Sequence, residues 1–175
     1  MLVNDLRGEA ATSLLEAAAA ARDTDFLITC LPAPAVVSQV MEGSNGVLGQ
    51  LAAGATWIKM TTTDGDEVKR LAALEVERGV NTVESPVTCG VERAISGDLT
   101  LLVGGEAAHI EACREVFDAV ASKVVHTGPL GSSSVIKLIT NLFAYVHLWA
   151  MGDGLMLGKK AGIDVATTLD AIKAS

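Results

Sequence analysis

Aromatic side chains are scarce: three Phe, two Trp and one Tyr in 175 residues. So small a set offers no stacking platform for RNA or single-stranded nucleic acid. Positive charge is also short, with 13 Lys and Arg against 21 Asp and Glu and a formal net charge of -8. No basic run offsets that balance locally, so a phosphate backbone or an anionic membrane surface would be repelled. Nucleic acid and membrane are therefore not expected partners. Three cysteines, Cys30, Cys89 and Cys113, form an odd set without a CxxC pair, and the three histidines do not cluster. Neither a disulfide framework nor a zinc site fits. No metal is expected, and the thiols read as those of a reduced, cytoplasmic protein. The start, Met1-Leu2-Val3-Asn4-Asp5, has no basic or apolar region of the kind a signal peptide needs.

What is abundant is Ala, Val and Leu. Half of the residues are apolar and 19% are charged, which excludes intrinsic disorder. The first half alternates strand and helix signals. A short apolar start ends at Asp5, and residues 9–22 are rich in Ala and Leu without a breaker, which predicts a helix. The run 25–31 is β-rich and is stopped by Pro32 and Pro34, as a buried strand leaving a sheet would be. Further strands are predicted at 56–60, 80–83, 99–103 and 124–126, with helices at 35–41, 66–78 and 107–120 and a turn at 43–46. Strands separated in this way argue for an α/β fold of βαβ units with a mainly parallel sheet.

After Gly128-Pro129-Leu130-Gly131 the strand signals end. Residues 132–160 read as one long helix, Gly162 as its stop, and Asp164 as the cap of a last helix over 165–173. Residues 135–151 are apolar enough to suggest a membrane span. They carry Lys137, Asn141 and His147, which are costly in lipid, so the segment reads as a buried helix instead. Within this sequence one short following helix cannot cover Leu138, Leu142, Tyr145, Trp149 and Leu155. Association as a homo-oligomer through this helical segment is expected.

Among residues that could carry chemistry, Lys137 and Asn141 come first. Four positions apart, they share one face of a helix that is otherwise apolar nearly all round. A lysine there either snorkels to the edge, or is partnered and suited to proton transfer; residue types alone leave both open. Glu84-Ser85-Pro86-Val87-Thr88-Cys89-Gly90-Val91 follows a strand and combines a proline break, a hydroxyl and a glycine at the sheet's carboxyl edge. Such edges bind ligands in open α/β sheets, but an ordinary strand-to-loop turn looks the same. Thr61-Thr62-Thr63 has the same position and the same ambiguity. Gly152-Asp153-Gly154-Leu155-Met156-Leu157-Gly158 imitates a dinucleotide motif but follows helix rather than strand, so its glycines read as sites of close helix packing.

Four segments, taken in order, carry a family resemblance. They are Thr29-Cys30-Leu31-Pro32; Thr61-Thr62; Ser85-Pro86-Val87-Thr88-Cys89-Gly90 with Gly97-Asp98-Leu99-Thr100 and Gly104-Gly105; and Gly128-Pro129-Leu130-Gly131 leading to Lys137-Leu138-Ile139-Thr140-Asn141. In this order the chain resembles the β-hydroxyacid dehydrogenases, the group of 3-hydroxyisobutyrate dehydrogenase and tartronate semialdehyde reductase, related to 6-phosphogluconate dehydrogenase. The resemblance implies a Rossmann-type NAD(P)-binding domain over 1–127 and the beginning of a helical dehydrogenase domain over 128–175. It implies NAD(P)-dependent oxidation of a small β-hydroxyacid, with Lys137 as general acid/base and Asn141 holding the substrate or the lysine. Thr88, Cys89 and Gly90 match the substrate-binding motif, Thr88 and Gly90 taking the carboxylate. Leu31, Pro32 and Thr62 would line the cofactor. Asp5 matches the acidic residue that takes the adenosine ribose hydroxyls, which favours NAD over NADP.

The chain also departs from the family pattern. The family opens with a strand and a glycine-rich phosphate loop ahead of the strand ending at Asp5, and this sequence starts after both. It also ends before most of the helical domain. Cys89 stands where the motif commonly has glycine, and Ser133 replaces a glycine before the lysine-bearing helix. The alternative to an enzyme is a non-catalytic remnant that serves only in folding or oligomerisation.

Overall fold

The computed structural model of the protein describes residues 21–42 and 46–175. The strand predicted to end at Asp5, most of the helix over 9–22 and most of the turn at 43–46 lie outside the described residues. The chain divides into two compact units, Met1–Lys137 and Leu138–Ser175.

In the first unit the described residues form one six-stranded sheet. Its strands are β1 (Phe26–Thr29), β2 (Thr56–Lys59), β3 (Asn81–Glu84), β4 (Val87–Thr88), β5 (Leu99–Gly104) and β6 (Ala121–Gly128). Helices α1 (Pro34–Met41), α2 (Gly65–Val76), α3 (Gly90–Ile95), α4 (Ala107–Ala112) and α5 (Arg114–Val120) lie between them. β1, β2 and β3 pair in parallel, Ile58 standing opposite both Ile28 and Val83. β5 also pairs in parallel with β6.

The sheet is nevertheless mixed. β5 runs antiparallel to β3 and β4, with Glu84 opposite Gly104, Val87 opposite Leu101 and Thr88 opposite Thr100. The cause is the connection. Residues 89–98 hold one short helix, α3, too little chain for a parallel crossover, so the strand returns alongside the one it left. Neither α3 nor β4 is predicted from the sequence.

Alternation along β2 supplies a core on each face of the sheet. Trp57 packs with Val37 and Met41 of α1 and Leu71 of α2, and its indole N–H donates to Thr29 Oγ1 at 2.9 Å. Ile58 faces the other way and packs with Val83, Leu101, Cys113 and Phe117. Helices therefore cover both faces. The single helix predicted over 107–120 is two, broken at Cys113, whose thiol is buried in the second core and pushed up to about 11 by that burial. The start of α2 is set by Asp64, whose side chain accepts from the backbone N–H groups of Asp66 and Glu67.

Helix α6 (Ser132–Lys160) begins in the first unit and continues into the second, where α7 (Val165–Ala174) follows. Asp164 caps α7 by accepting from Thr167 N at 3.1 Å, and Gly162 has φ +81°, as its predicted role as a stop requires. The expectation that residues 135–151 are buried is not met. Leu142, Tyr145 and Trp149 are 59%, 71% and 76% exposed, because α7 is too short to cover an apolar helix of 29 residues. By length and composition alone α6 could cross a membrane. Of the glycines at 152, 154 and 158, only Gly158 serves close packing: a Cβ there would stand 2.8 Å from Thr168 Oγ1, whereas Gly152 and Gly154 face open space.

Glu75, near the end of α2, is buried against β3, and its carboxyl accepts from the Thr82 hydroxyl while Oε1 has no hydrogen-bond partner. Burial raises its pKa from 4.5 to about 8, against the opposing effect of the Thr82 hydrogen bond. Between those values the folded chain keeps a proton that the unfolded chain releases, so stability falls as pH rises. The slope is at most about 1.4 kcal/mol per pH unit. Glu75→Gln is expected to flatten this decline. Urea unfolding at about pH 5 and about pH 8 checks it: equal losses in wild type and variant would contradict the assignment.

Candidate functional site

Parallel strands β1 and β2 end at the same edge, and their exits are tied together. The backbone N–H of Leu31 donates to Thr61 Oγ1 at 2.7 Å. Thr61 and Thr63 are buried and Thr62 between them is half-buried; Leu31 is half-buried against the first core and Pro32 is exposed. Pro34 then opens α1. Leu31, Pro32 and Thr62 thus share the carboxyl edge of the parallel strands, where open α/β sheets bind nucleotides. Asp5 lies outside the described residues.

Across the sheet, β4 delivers Thr88, Cys89 and Gly90 as one turn. The Thr88 hydroxyl donates to Thr100 O at 3.0 Å and lies 3.3 Å from Cys89 Sγ. One hydroxyl proton can serve only one of these at a time. Cys89 is exposed and holds φ +80°, the single non-glycine residue with positive φ among those described; Gly90 follows with φ +80° as well. The Thr88 hydroxyl, then Thr100 and more weakly the charge of Arg93, holds the Cys89 thiol below its usual range.

Lys137 lies on α6, half-buried, in the first unit. Partial burial lowers its pKa, and the negative charge of Cys89 opposes that shift. Asn141 stands four residues further along the same helix and belongs to the second unit.

Sequence reasoning missed a buried polar group beside this turn. Glu84 is fully buried at the end of β3; its Oε1 accepts from Ser133 N at 2.9 Å and its Oε2 from Ser134 Oγ at 2.7 Å. Lys59, its register partner on β2, is also fully buried, and its amine donates to Thr61 O at 2.8 Å. Burial lowers the Lys59 pKa to about 8, against the charge of Glu84, which raises it. The available signal was a charged residue inside each of two apolar strands, Trp57-Ile58-Lys59-Met60 and Thr82-Val83-Glu84.

Residues 2–128 match the family model described as the NAD binding domain of 6-phosphogluconate dehydrogenase. Residues 131–175 match the one described as NAD-binding of NADP-dependent 3-hydroxyisobutyrate dehydrogenase. The chain belongs to the β-hydroxyacid dehydrogenase family. The 2-(hydroxymethyl)glutarate dehydrogenase of Eubacterium barkeri is 29% identical over 149 residues, which are 85% of this chain and 50% of that protein. The mitochondrial 3-hydroxyisobutyrate dehydrogenase of Mus musculus is 31% identical over 144 residues, 82% of this chain and 43% of that one. The solved structure of Mycobacterium tuberculosis 3-hydroxyisobutyrate dehydrogenase with L-serine superposes with a TM-score of 0.83 at 25% identity, covering 96% of this chain and 56% of that one. The chain spans about half the length of the relatives it matches.

The α/β sheet is accordingly of Rossmann type, followed by the long helix α6 and by α7, and the two family models it matches are both described as NAD-binding. The Leu31–Thr61 hydrogen bond holds the β1 and β2 exits side by side, with Thr62 between two buried threonines. Cys89, standing where the family motif commonly has glycine, adopts the backbone conformation that glycine favours. A Cβ at φ +80° is strained, by about 1 kcal/mol. Cys89→Gly is therefore expected to raise stability by about 0.5–1 kcal/mol, read from urea midpoints. A loss of stability would show that the side chain contributes more than its backbone conformation costs.

Proposed function

We propose that the full-length enzyme to which this chain belongs oxidises the CH–OH group of a small β-hydroxyacid, of the 3-hydroxyisobutyrate kind, in an NAD(P)-dependent reaction with NAD favoured, and that the 175-residue chain is inactive alone. Residues 1–127 are the NAD(P)-binding domain and 128–175 the beginning of the helical domain. What supports the reading is the half-buried Lys137, on a helix whose first turn is hydrogen-bonded to Glu84 at the end of β3, the strand that leads into the Thr88-Cys89-Gly90 turn. Thr88, through its hydroxyl, and Gly90, through its backbone N–H, bind the substrate carboxylate, with Cys89 between them. Asn141 holds the substrate or the lysine. Leu31, Pro32 and Thr62 line the cofactor, and Asp5 takes the adenosine ribose hydroxyls.

The bound cofactor supplies the acceptor for the hydride that leaves the carbinol carbon. Lys137 does the rest of the proton work: its neutral amine accepts the hydroxyl proton as the carbonyl forms, and returns it in the reverse direction. Partial burial favours the neutral amine, which brings more of it into the basic form near neutrality. The small carboxylate substrate, an aqueous, cytoplasmic setting and a homo-oligomer formed through α6 complete the reading.

Three outcomes test it. In the active enzyme Lys137→Ala is expected to lower kcat by about two to four orders of magnitude with cofactor affinity nearly unchanged; retention of more than about a tenth of the rate would sink the assignment. No segment of this sequence supplies a glycine-rich strand-to-helix turn for a pyrophosphate. Calorimetric titration of the 175-residue chain with NAD should accordingly show weak binding or none, and low-micromolar affinity would contradict that. Finally, the exposed Leu142 and Trp149 should drive association. Light scattering is expected to show an oligomer that Leu142→Glu with Trp149→Glu shifts towards monomer; a wild-type monomer at tens of micromolar would overturn the oligomer.

A further inference from the structure

The buried carboxyl of Glu84 has no place in the proton chemistry just described, yet it touches the helix that carries the lysine. Its two oxygens take the backbone N–H of Ser133 at 2.9 Å and the hydroxyl of Ser134 at 2.7 Å, both in the first turn of α6. Lys137 stands one turn further on. Glu84, Ser133 and Ser134 are all fully buried, so these bonds are not exchanged with water. The surroundings are shaped to admit them. A Cβ on Gly104 would stand 2.6 Å from Glu84 Oε1 and 2.8 Å from Ser133 Oγ, so a side chain there would displace the carboxyl. The α6 start also meets the α2 start backbone to backbone, a Cβ on Gly65 lying 3.0 Å from Gly131 O.

We propose that Glu84 and Ser134 are positioning residues: together they fix the first turn of α6 against the end of β3, and so set the position and burial of the Lys137 amine one turn further on. This rests on the reading of Lys137 as the group that moves the hydroxyl proton. Glu84 does not take part in the proton transfer. It acts through the helix. Among the described residues, Lys59 stands opposite Glu84 on β2 and feels the charges of Asp64 and Glu67 as well, and the charge of Cys89 acts on Lys137. If the helix start comes away from the sheet, Lys137 loses part of its burial and its pKa returns towards the ordinary lysine value.

Two variants separate positioning from simple stability. Glu84→Gln keeps the shape but changes the acceptor pair, and Ser134→Ala removes one donor while leaving Glu84 and its relation to Lys59 intact. Lysine side chains in the full chain are isotope-labelled and titrated by NMR, the Lys137 signal being assigned by its loss in Lys137→Arg. In both variants the Lys137 midpoint is expected to rise by about half a pH unit or more, roughly threefold in the protonation equilibrium. Cooperative thermal unfolding should persist, and turnover of the active enzyme should fall by roughly tenfold or more. Should Glu84→Gln not fold, Ser134→Ala decides. A folded Ser134→Ala whose Lys137 titrates as in wild type overturns the proposal. Failure of the functional reading is a different result: an active Lys137→Ala enzyme, with the titration shift still present.

Discussion

Glu84 accepts two hydrogen bonds from the first turn of α6 while Lys59 stands opposite it on the neighbouring strand, and the elements at that end of the sheet are arranged around this contact. A helix start leaves its first backbone N–H groups without intrahelical partners, and burying them unpaired is costly. Ser132 N donates to Pro129 O, Ser133 N to Glu84, and Val135 N to Gly131 O. Replacing the carboxyl by an apolar group would strand a buried N–H, a loss of about 1–3 kcal/mol for one group. It would also remove the largest of the negative charges, ahead of Asp64 and Glu67, that offset the burial of Lys59. Lys59 and Glu84 are both fully buried as register partners, so removing either charge would leave the other buried without it.

That arrangement explains several glycines that are otherwise unconnected. Gly104 makes room for the carboxyl, and Gly65 and Gly131 let two helix starts approach within backbone contact. Gly131 also holds φ +93°, so it meets a conformational demand as well as a steric one. The antiparallel return of β5 belongs to the same geometry. It sets Gly104 opposite Glu84 and Thr100 opposite Thr88, and the Thr88 hydroxyl then bonds back to Thr100. The substrate-motif turn and the lysine-bearing helix are thus supported by neighbouring residues of two strands.

Much of this fold was legible in the sequence. Pro32 and Pro34 mark the end of β1, the unbroken apolar run after Gly131 marks α6, and Asp164 marks α7, because each acts through local chemistry that a short window contains. The mixed sheet was not legible, since it depends on a short connection doubling back, and β4 is two residues long. The break at Cys113 was hidden because no Pro or Gly announces it. At the site, Lys137 and the Thr88-Cys89-Gly90 turn stood out by type. Lys59 and Glu84 did not, since a charged residue within a strand ordinarily reads as one that faces water. Only the register between β2 and β3 shows that both are buried together.

The shortness of α7 pointed to an uncovered face on α6, but the reading of residues 135–151 as a buried helix fails for a related reason. A helix apolar on nearly every side is expected to be enclosed, because its backbone hydrogen bonds are satisfied internally and its side chains gain from leaving water. The first condition holds without any partner, so 29 residues can be helical while Leu142, Tyr145 and Trp149 stay exposed. Within the second unit α7 meets α6 at Gly158, where Thr168 occupies the space a side chain would take. That contact fixes the end of the helix and leaves its middle uncovered. The polar anchoring at the α6 start therefore matters more than its apolar surface suggests: the end that carries Lys137 is held by hydrogen bonds of defined direction, and apolar contact, which has no direction, could not orient it in the same way.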